Sequence, residues 1–423
     1  MADFNVPVGQ LLGILGDLPE FDALRQALRA AAVEPDAPNA PGQSPYSTID
    51  RRTIPGSALG ALISETESTQ HRHLKQLHDA VSIAFSAVLS GADEKVRQIV
   101  SLGEAAEAAQ QWRAALTFYL VALGAAGNSP DLSLRALVQR RVGRSALNAG
   151  DFERAASYYG AGLATASVAS DALGQIVAST GLGNLASLQG RWGEAHEWYA
   201  NAIAICGLEH ARERTQLLIN QSMTLRERML YSEAAVLLEQ ARASWEDMAG
   251  ADRAGWYNNM GLLLLAQGES AQAELFFDRA LEGEPGPFHC AMVHVNRAEV
   301  ALRDGLLERA HSRCRAAEAH AIAHASPRIL AEVYLQFGKI AARARDPHGI
   351  AFFELALKLT RERAYPLLLA EILYEYGRYR RELAEIASAQ NLFQEALQRF
   401  GALGASTQVV QVQNELASLA RTS

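Results

Sequence analysis

Three asparagines and one glutamine carry the most informative chemistry in this 423-residue chain: Asn220, Asn259, Asn296 and Gln336. They are spaced by 39, 37 and 40 residues. A side-chain amide donates and accepts at once, as a peptide group does. A row of amides at a constant period can hold an extended backbone without reading its side chains. At about 1 kcal/mol net for each amide, loss of three weakens binding by roughly 10²–10³-fold. Asn184 precedes the row and is grouped with it. The competing reading is that these amides bond to neighbouring helices.

A second cluster is cationic. Arg140, Arg141 and Arg144 lie close in sequence, with Arg97 one repeat earlier. Arginine forks suit carboxylates and phosphates, so the cluster could hold an acidic segment or a chain terminus. Its alternative is pairing with nearby glutamates. Further on, Tyr374, Tyr376, Arg378, Tyr379, Arg380 and Arg381 mix rings with cations, as interfaces do. The same mixture also arises from core residues beside a solvated surface.

Metal and cofactor chemistry finds little support. Glu67, His71 and His78, with His73 between them, and the pair His320 and His324 lack a convergent third or fourth ligand. Gly181-Leu182-Gly183-Asn184-Leu185-Ala186 matches a dinucleotide fingerprint, but no strand precedes it. Asn220-Gln221-Ser222 matches a glycosylation sequon in the middle of a helix. No phosphate loop, nucleophile elbow or paired-carboxylate motif is present. The expectation is a non-catalytic protein with no cofactor and no metal.

What must position these residues is a repeat. One unit reads Tyr257-Asn258-Asn259-Met260-Gly261, then Gly268-Glu269, Ala273, Phe277, Ala280 and Pro285. A small residue recurs as Gly103, Gly143, Gly183, Ser222, Gly261, Ala298, Gly338 and Gly377. A second small residue follows as Ala115, Ala155, Ala195, Ala234, Ala273, Ala310 and Ala389. A large partner follows it: Tyr119, Tyr159, Tyr199, Leu238, Phe277, Cys314, Phe353 and Phe393. Two antiparallel helices approach closely only where small residues cross, and a large side chain then fills the remaining gap. Repeat seven is one residue short in its turn, at Arg345-Asp346-Pro347.

This pattern, over roughly residues 95–400, resembles the tetratricopeptide repeat in an elongated form of about 40 residues. Units of that length are similar to those of kinesin light chains and Rap-type bacterial peptide receptors. The resemblance implies an all-α, right-handed α-solenoid of about eight helix pairs. It also implies that asparagines at this repeat position hold the backbone of a bound peptide.

The ends differ from the repeats. Residues 1–33 contain an apolar helical segment, 34–57 a linker rich in proline, serine and glycine, and 58–94 a helical lead-in. Residues 1–33 could cap the solenoid, plug its groove or act as a dimerisation arm. Residues 406–423 read as a capping helix, with Val409, Val412, Leu416 and Leu419 on one face and Glu415 on the other. A homodimer through the N-terminal arm or the terminal repeats is a further alternative.

Composition bounds the partners. Five of 13 prolines fall between residues 35 and 55, which leaves long helices unbroken elsewhere. The net charge of −8 argues against nucleic acid. Three cysteines, Cys206, Cys290 and Cys314, form no zinc spacing or even disulfide set and fit a reducing cytoplasm. No signal peptide or membrane-spanning run is evident. The expectation is a cytoplasmic scaffold holding a protein or peptide in a concave groove. The alternative is a ligand-responsive regulator of the Rap type that captures or releases an effector protein.

Overall fold

A computed structural model describes residues 93–422, apart from 110, 249, 283–284, 324–325 and 364, together with 5–7, 53–55 and 83. The candidates Glu67, His71, His73, His78 and His324 lie outside the described residues. So does nearly all of the expected N-terminal segment, linker and lead-in. The exception is a short antiparallel pair, β1 (Asn5–Pro7) with β2 (Thr53–Pro55), in which Val6 faces Ile54.

The described helices divide between two compact units, one of residues 1–149 and 153–174, the other of 150–152 and 175–423. The first unit holds two helix pairs: α1 (Asp93–Ala108) with α2 (Trp112–Ala125), and α3 (Leu132–Ala149) with α4 (Phe152–Val168). Asp131 starts α3, accepting from the Leu134 N–H at 3.0 Å while pairing with Arg97 of α1 at 3.0 Å. This is the N-cap role in which a short acidic side chain satisfies an orphan amide.

The second unit contains six further pairs and a last helix. The pairs are α5 (Ala172–Leu188) and α6 (Trp192–Ile205), α7 (Ala211–Glu227) and α8 (Tyr231–Arg242), α9 (Gly250–Ala266) and α10 (Ser270–Glu282). They continue with α11 (Pro287–Arg303) and α12 (Leu307–Ala323), α13 (Pro327–Ala344) and α14 (Gly349–Arg363), α15 (Pro366–Glu382) and α16 (Ile386–Ala402). Helix α17 (Ser406–Thr422) ends the row. Pro287, Pro327 and Pro366 each open a first helix, where a missing N–H costs nothing.

The small-to-large register is a steric lock. A Cβ added at Gly261 would lie 2.6 Å from the Phe277 ring, at Gly338 2.8 Å from Phe353, and at Gly377 2.7 Å from Phe393. Gly103, Gly143 and Gly183 meet Tyr119, Tyr159 and Tyr199 in the same way. Where the first helix carries a larger residue the partner shrinks. Ser222 stands with Leu238 and Ala298 with Cys314, all four buried. The volume in the crossing is conserved although its two halves trade size. In repeat seven the missing turn residue brings Gly349 to the second small position, with Ala341 and Tyr379 at 3.0 Å from where its Cβ would be.

Seven residues after the first small position the backbone turns left-handed in repeats two to eight. The residues are Gly150, Gly190, Met229, Gly268, Gly305, Arg345 and Ala384, with φ between 54° and 85°. At Arg345 this lets two amides return to the preceding helix, Arg345 to the Ala342 carbonyl at 3.0 Å and Asp346 to Ala341 at 2.9 Å. That closes the helix end and aims the chain back along it.

The last helix packs as its apolar periodicity requires. Val412 and Leu419 are buried, and Val409 and Leu416 pack beside them against α15 and α16. One expectation is corrected: Glu415 is not on a solvated face. It accepts from Arg381 and lies 3.9 Å from Arg378, so two cations of α15 hold α17. Tyr376 and Tyr379 are core, which resolves the mixed tyrosine–arginine cluster into buried rings and helix-to-helix ion pairs.

Candidate functional site

Within the second unit, neighbouring pairs touch through their first helices, α7 on α9, α9 on α11, α11 on α13 and α13 on α15, and no comparable set joins successive second helices among the described residues. The first helices therefore line the tighter, inner face. Asn220, Asn259, Asn296 and Gln336 occupy one register position on four of them, two residues before the small residue of the crossing.

Their bonding is mixed. Asn220 donates to Asn184 Oδ1 at 3.4 Å and accepts from Gln216 at 3.0 Å. Asn184 also accepts from the Tyr199 hydroxyl at 2.8 Å, so its oxygen serves the helix junction. Asn296 donates to Asn258 Oδ1 at 2.8 Å, and Asn259 donates to the Gly255 carbonyl of its own helix at 2.9 Å. Gln336 differs. It is 8% exposed, and its buried Oε1 has no hydrogen-bond partner. An unmet buried acceptor costs about 1–3 kcal/mol until a donor arrives.

The same register identifies residues that the sequence reading passed over. Glu375 stands two residues before Gly377 and continues the amide row into repeat eight. Glu332 and Glu371 share the position four residues earlier on α13 and α15. Burial pushes the Glu371 carboxyl up to about 8, with Glu227 and Glu332 adding to the rise and Lys339 opposing it. Glu227 belongs to repeat four, so this unit curls enough for its carboxylate to act on repeat eight. The signal for all of these was in the spacing, but a search for amides alone did not include acids.

Just C-terminal to the row, α11, α13 and α15 enclose a cavity of 330 Å³ lined by both signs of charge, including Glu299, Arg303, Lys339, Arg343 and Glu375. Glu299 accepts from Lys339 and, at 3.0 Å, from Arg303. Burial pushes its pKa up, but those two cations outweigh burial and hold the carboxyl below its usual range. The arrangement sets a row of amides beside a cavity lined by both signs of charge.

The arginine cluster lies in the first unit. Arg141 reaches Glu104 at 2.5 Å and Glu107 at 3.1 Å, and Arg144 lies 3.9 Å from Glu107. Arg140 packs its stem against Gly162; its buried Nε has no partner, and burial lowers its pKa. Among the described residues no three His, Cys, Asp or Glu side chains converge on a metal-sized point. His320 stacks instead on His294, with ring centroids 5.7 Å apart. No described helix is long and apolar enough to cross a membrane.

No protein-family model matches the sequence, and no curated protein matches it. Solved structures do. A Rap protein complexed with competence and sporulation factor superposes with a TM-score of 0.51 at 13% identity, covering 78% of this chain and 98% of that one. Aspartyl phosphate phosphatase F from Bacillus subtilis gives a TM-score of 0.51 at 11% identity, covering 81% and 89%. The fold is a tetratricopeptide-type α-solenoid. A tetratricopeptide repeat protein from Parabacteroides merdae aligns at 15% identity over 66% of this chain and 98% of its own, with a TM-score of 0.44. At these identities the likeness speaks to the arrangement of helices alone.

Proposed function

We propose that the second unit holds an extended peptide or protein segment along the inner face of α7, α9, α11 and α13, without catalysing a reaction. Asn220, Asn259, Asn296 and Gln336 contact its backbone, and Glu375 extends the row. The observation that carries this reading is the buried, partnerless Gln336 Oε1 at the end of a line of amides. A ligand N–H that reached this acceptor would satisfy it.

The test is affinity capture from native lysate with wild type and the Asn220→Ala, Asn259→Ala, Asn296→Ala triple variant, after both are shown to melt alike. A segment retained by wild type and lost by the variant supports the reading. Equal retention by both places the interface elsewhere. Gln336→Leu gives a second check: it should weaken binding while leaving the fold equally stable or more so, because it removes an unmet acceptor.

A ligand-responsive regulator is the second reading. What favours it is that Gly190 of repeat three lies against Leu367 of repeat eight, so the inner face is already drawn round within this unit. A ligand that tightens this contact would change the outer surface offered to an effector protein. Scattering with and without the captured segment separates the readings, since a passive scaffold does not compact.

A further inference from the structure

A second cavity lies away from the amide row, at the junction of repeats four and five. It measures 170 Å³ and is lined by Arg242 at the end of α8, Trp245 in the connecting turn, Trp256 and Tyr257 on α9, and Phe276 and Arg279 on α10. Four of its six lining residues are aromatic and two are guanidinium groups. Among the described residues no carboxylate lines it, in a chain of net charge −8. The rings meet edge to face at 5.2–5.4 Å among Trp245, Trp256 and Tyr257.

These walls are fixed before any ligand arrives. The Trp256 indole donates to the Leu238 carbonyl at 2.7 Å. Arg253 donates to the Trp245 carbonyl at 2.9 Å and stands 5.3 Å over the Trp245 ring. The two rim cations are at the surface. Arg242 stands 5.9 Å over the Trp256 ring and is loosely paired with Glu239 at 3.7 Å, and Arg279 makes no hydrogen bond or ion pair among the described residues. Apolar cavities of about 150 Å³ accept a benzene ring.

We propose that this cavity binds an aromatic ring carrying a carboxylate a few bonds away, with the ring among Trp245, Trp256, Tyr257 and Phe276 and the carboxylate on Arg242 and Arg279. A guanidinium fork matches a carboxylate in shape as well as charge. The same chemistry occurs in a small aromatic acid and in a peptide ending in phenylalanine or tyrosine. The site is independent of the amide row, because none of its residues belongs to that register position.

The experiment titrates the full-length protein with 3-phenylpropionate, 3-phenylpropionamide and a hexapeptide ending in phenylalanine with a free carboxylate. Calorimetry is the main readout, and the change in fluorescence of the chain's five tryptophans, Trp245 and Trp256 among them, is the second. The acid should bind at least roughly tenfold more tightly than the amide. Arg279→Gln and Arg242→Gln, both at exposed positions, should each weaken the acid by about tenfold while leaving the amide unchanged. The Asn220, Asn259 and Asn296 triple variant should bind the acid as wild type does. Tighter binding of the hexapeptide than of the free acid makes the ligand a chain end, and the reverse makes it a small molecule. Equal binding of acid and amide, binding unaffected by either arginine substitution, or no response to the acid and the hexapeptide at millimolar concentration overturns the proposal.

Discussion

Gly190 and Leu367 touch across 177 residues of sequence: a Cβ at Gly190 would lie 3.2 Å from Leu367 Cδ1. The first sits in the turn of repeat three, with φ of +74°, and the second begins the first helix of repeat eight. The contact is small and is one point at which the curl of the second unit closes. Leu367→Asp places a charge in it. Fluorescent labels on repeats three and eight should then move apart, while the thermal transition stays close to that of wild type. Unchanged label separation would show that the curl is set by the repeat stacking alone.

The crossing lock makes a prediction about pairs of residues. Gly261→Ala should cost about 1–3 kcal/mol, because its methyl group meets the Phe277 ring at a distance that real contacts do not show. Adding Phe277→Leu to it reproduces the small-plus-leucine crossing of repeat four and should recover part of the loss. Denaturant titration of the two single variants and the double variant measures the coupling. Additive losses would contradict the lock.

Met229 and Ala384 hold left-handed backbone at φ of 61° without being glycine. The strain of a Cβ in that region outweighs the extra freedom glycine has in the unfolded chain. Met229→Gly and Ala384→Gly should each stabilise by about 0.5–1 kcal/mol, seen as a higher unfolding midpoint at unchanged slope.

Glu371 titrates near 8 in the folded chain. A carboxyl whose folded pKa lies above its unfolded value near 4.5 binds a proton in the folded state that the unfolded chain has released. Its contribution to stability therefore falls as pH rises from about 4.5 through 8. Glu371→Gln should narrow the stability difference between pH 5 and pH 8.5, relative to wild type, with its gain larger at the higher pH. Unfolding midpoints at the two values decide it.

The repeat was legible because it is a steric code: Gly183 beside Tyr199 and Gly377 beside Phe393 leave a trace in residue size at fixed spacing. The shortened turn of repeat seven was legible for the same reason. The amide row could be located, but the partners that divide Asn184 and Asn296 from Gln336 could not, because a hydrogen bond depends on side-chain angles that spacing does not encode. The register position of Glu371 was legible, but its raised pKa was not: it comes first from burial, and Glu227, four repeats away, adds to it only because the curl brings that charge near. The pairing of Glu415 with Arg378 and Arg381 escaped the helical wheel, which assigns a face but not the neighbour packed against it.

The trade in size at the crossings also distributes stiffness. A pair wedged by a tyrosine or phenylalanine ring resists sliding, because the ring would have to leave a fitted slot. Repeats four and six hold Leu238 and Cys314 there instead, with thinner wedges against Ser222 and Ala298. Under a pulling force these two joints are the compliant ones, and repeat five between them, with Phe277 seated on Gly261, travels as a rigid plate. The chain is jointed at places chosen by side-chain volume, with no need of a flexible loop.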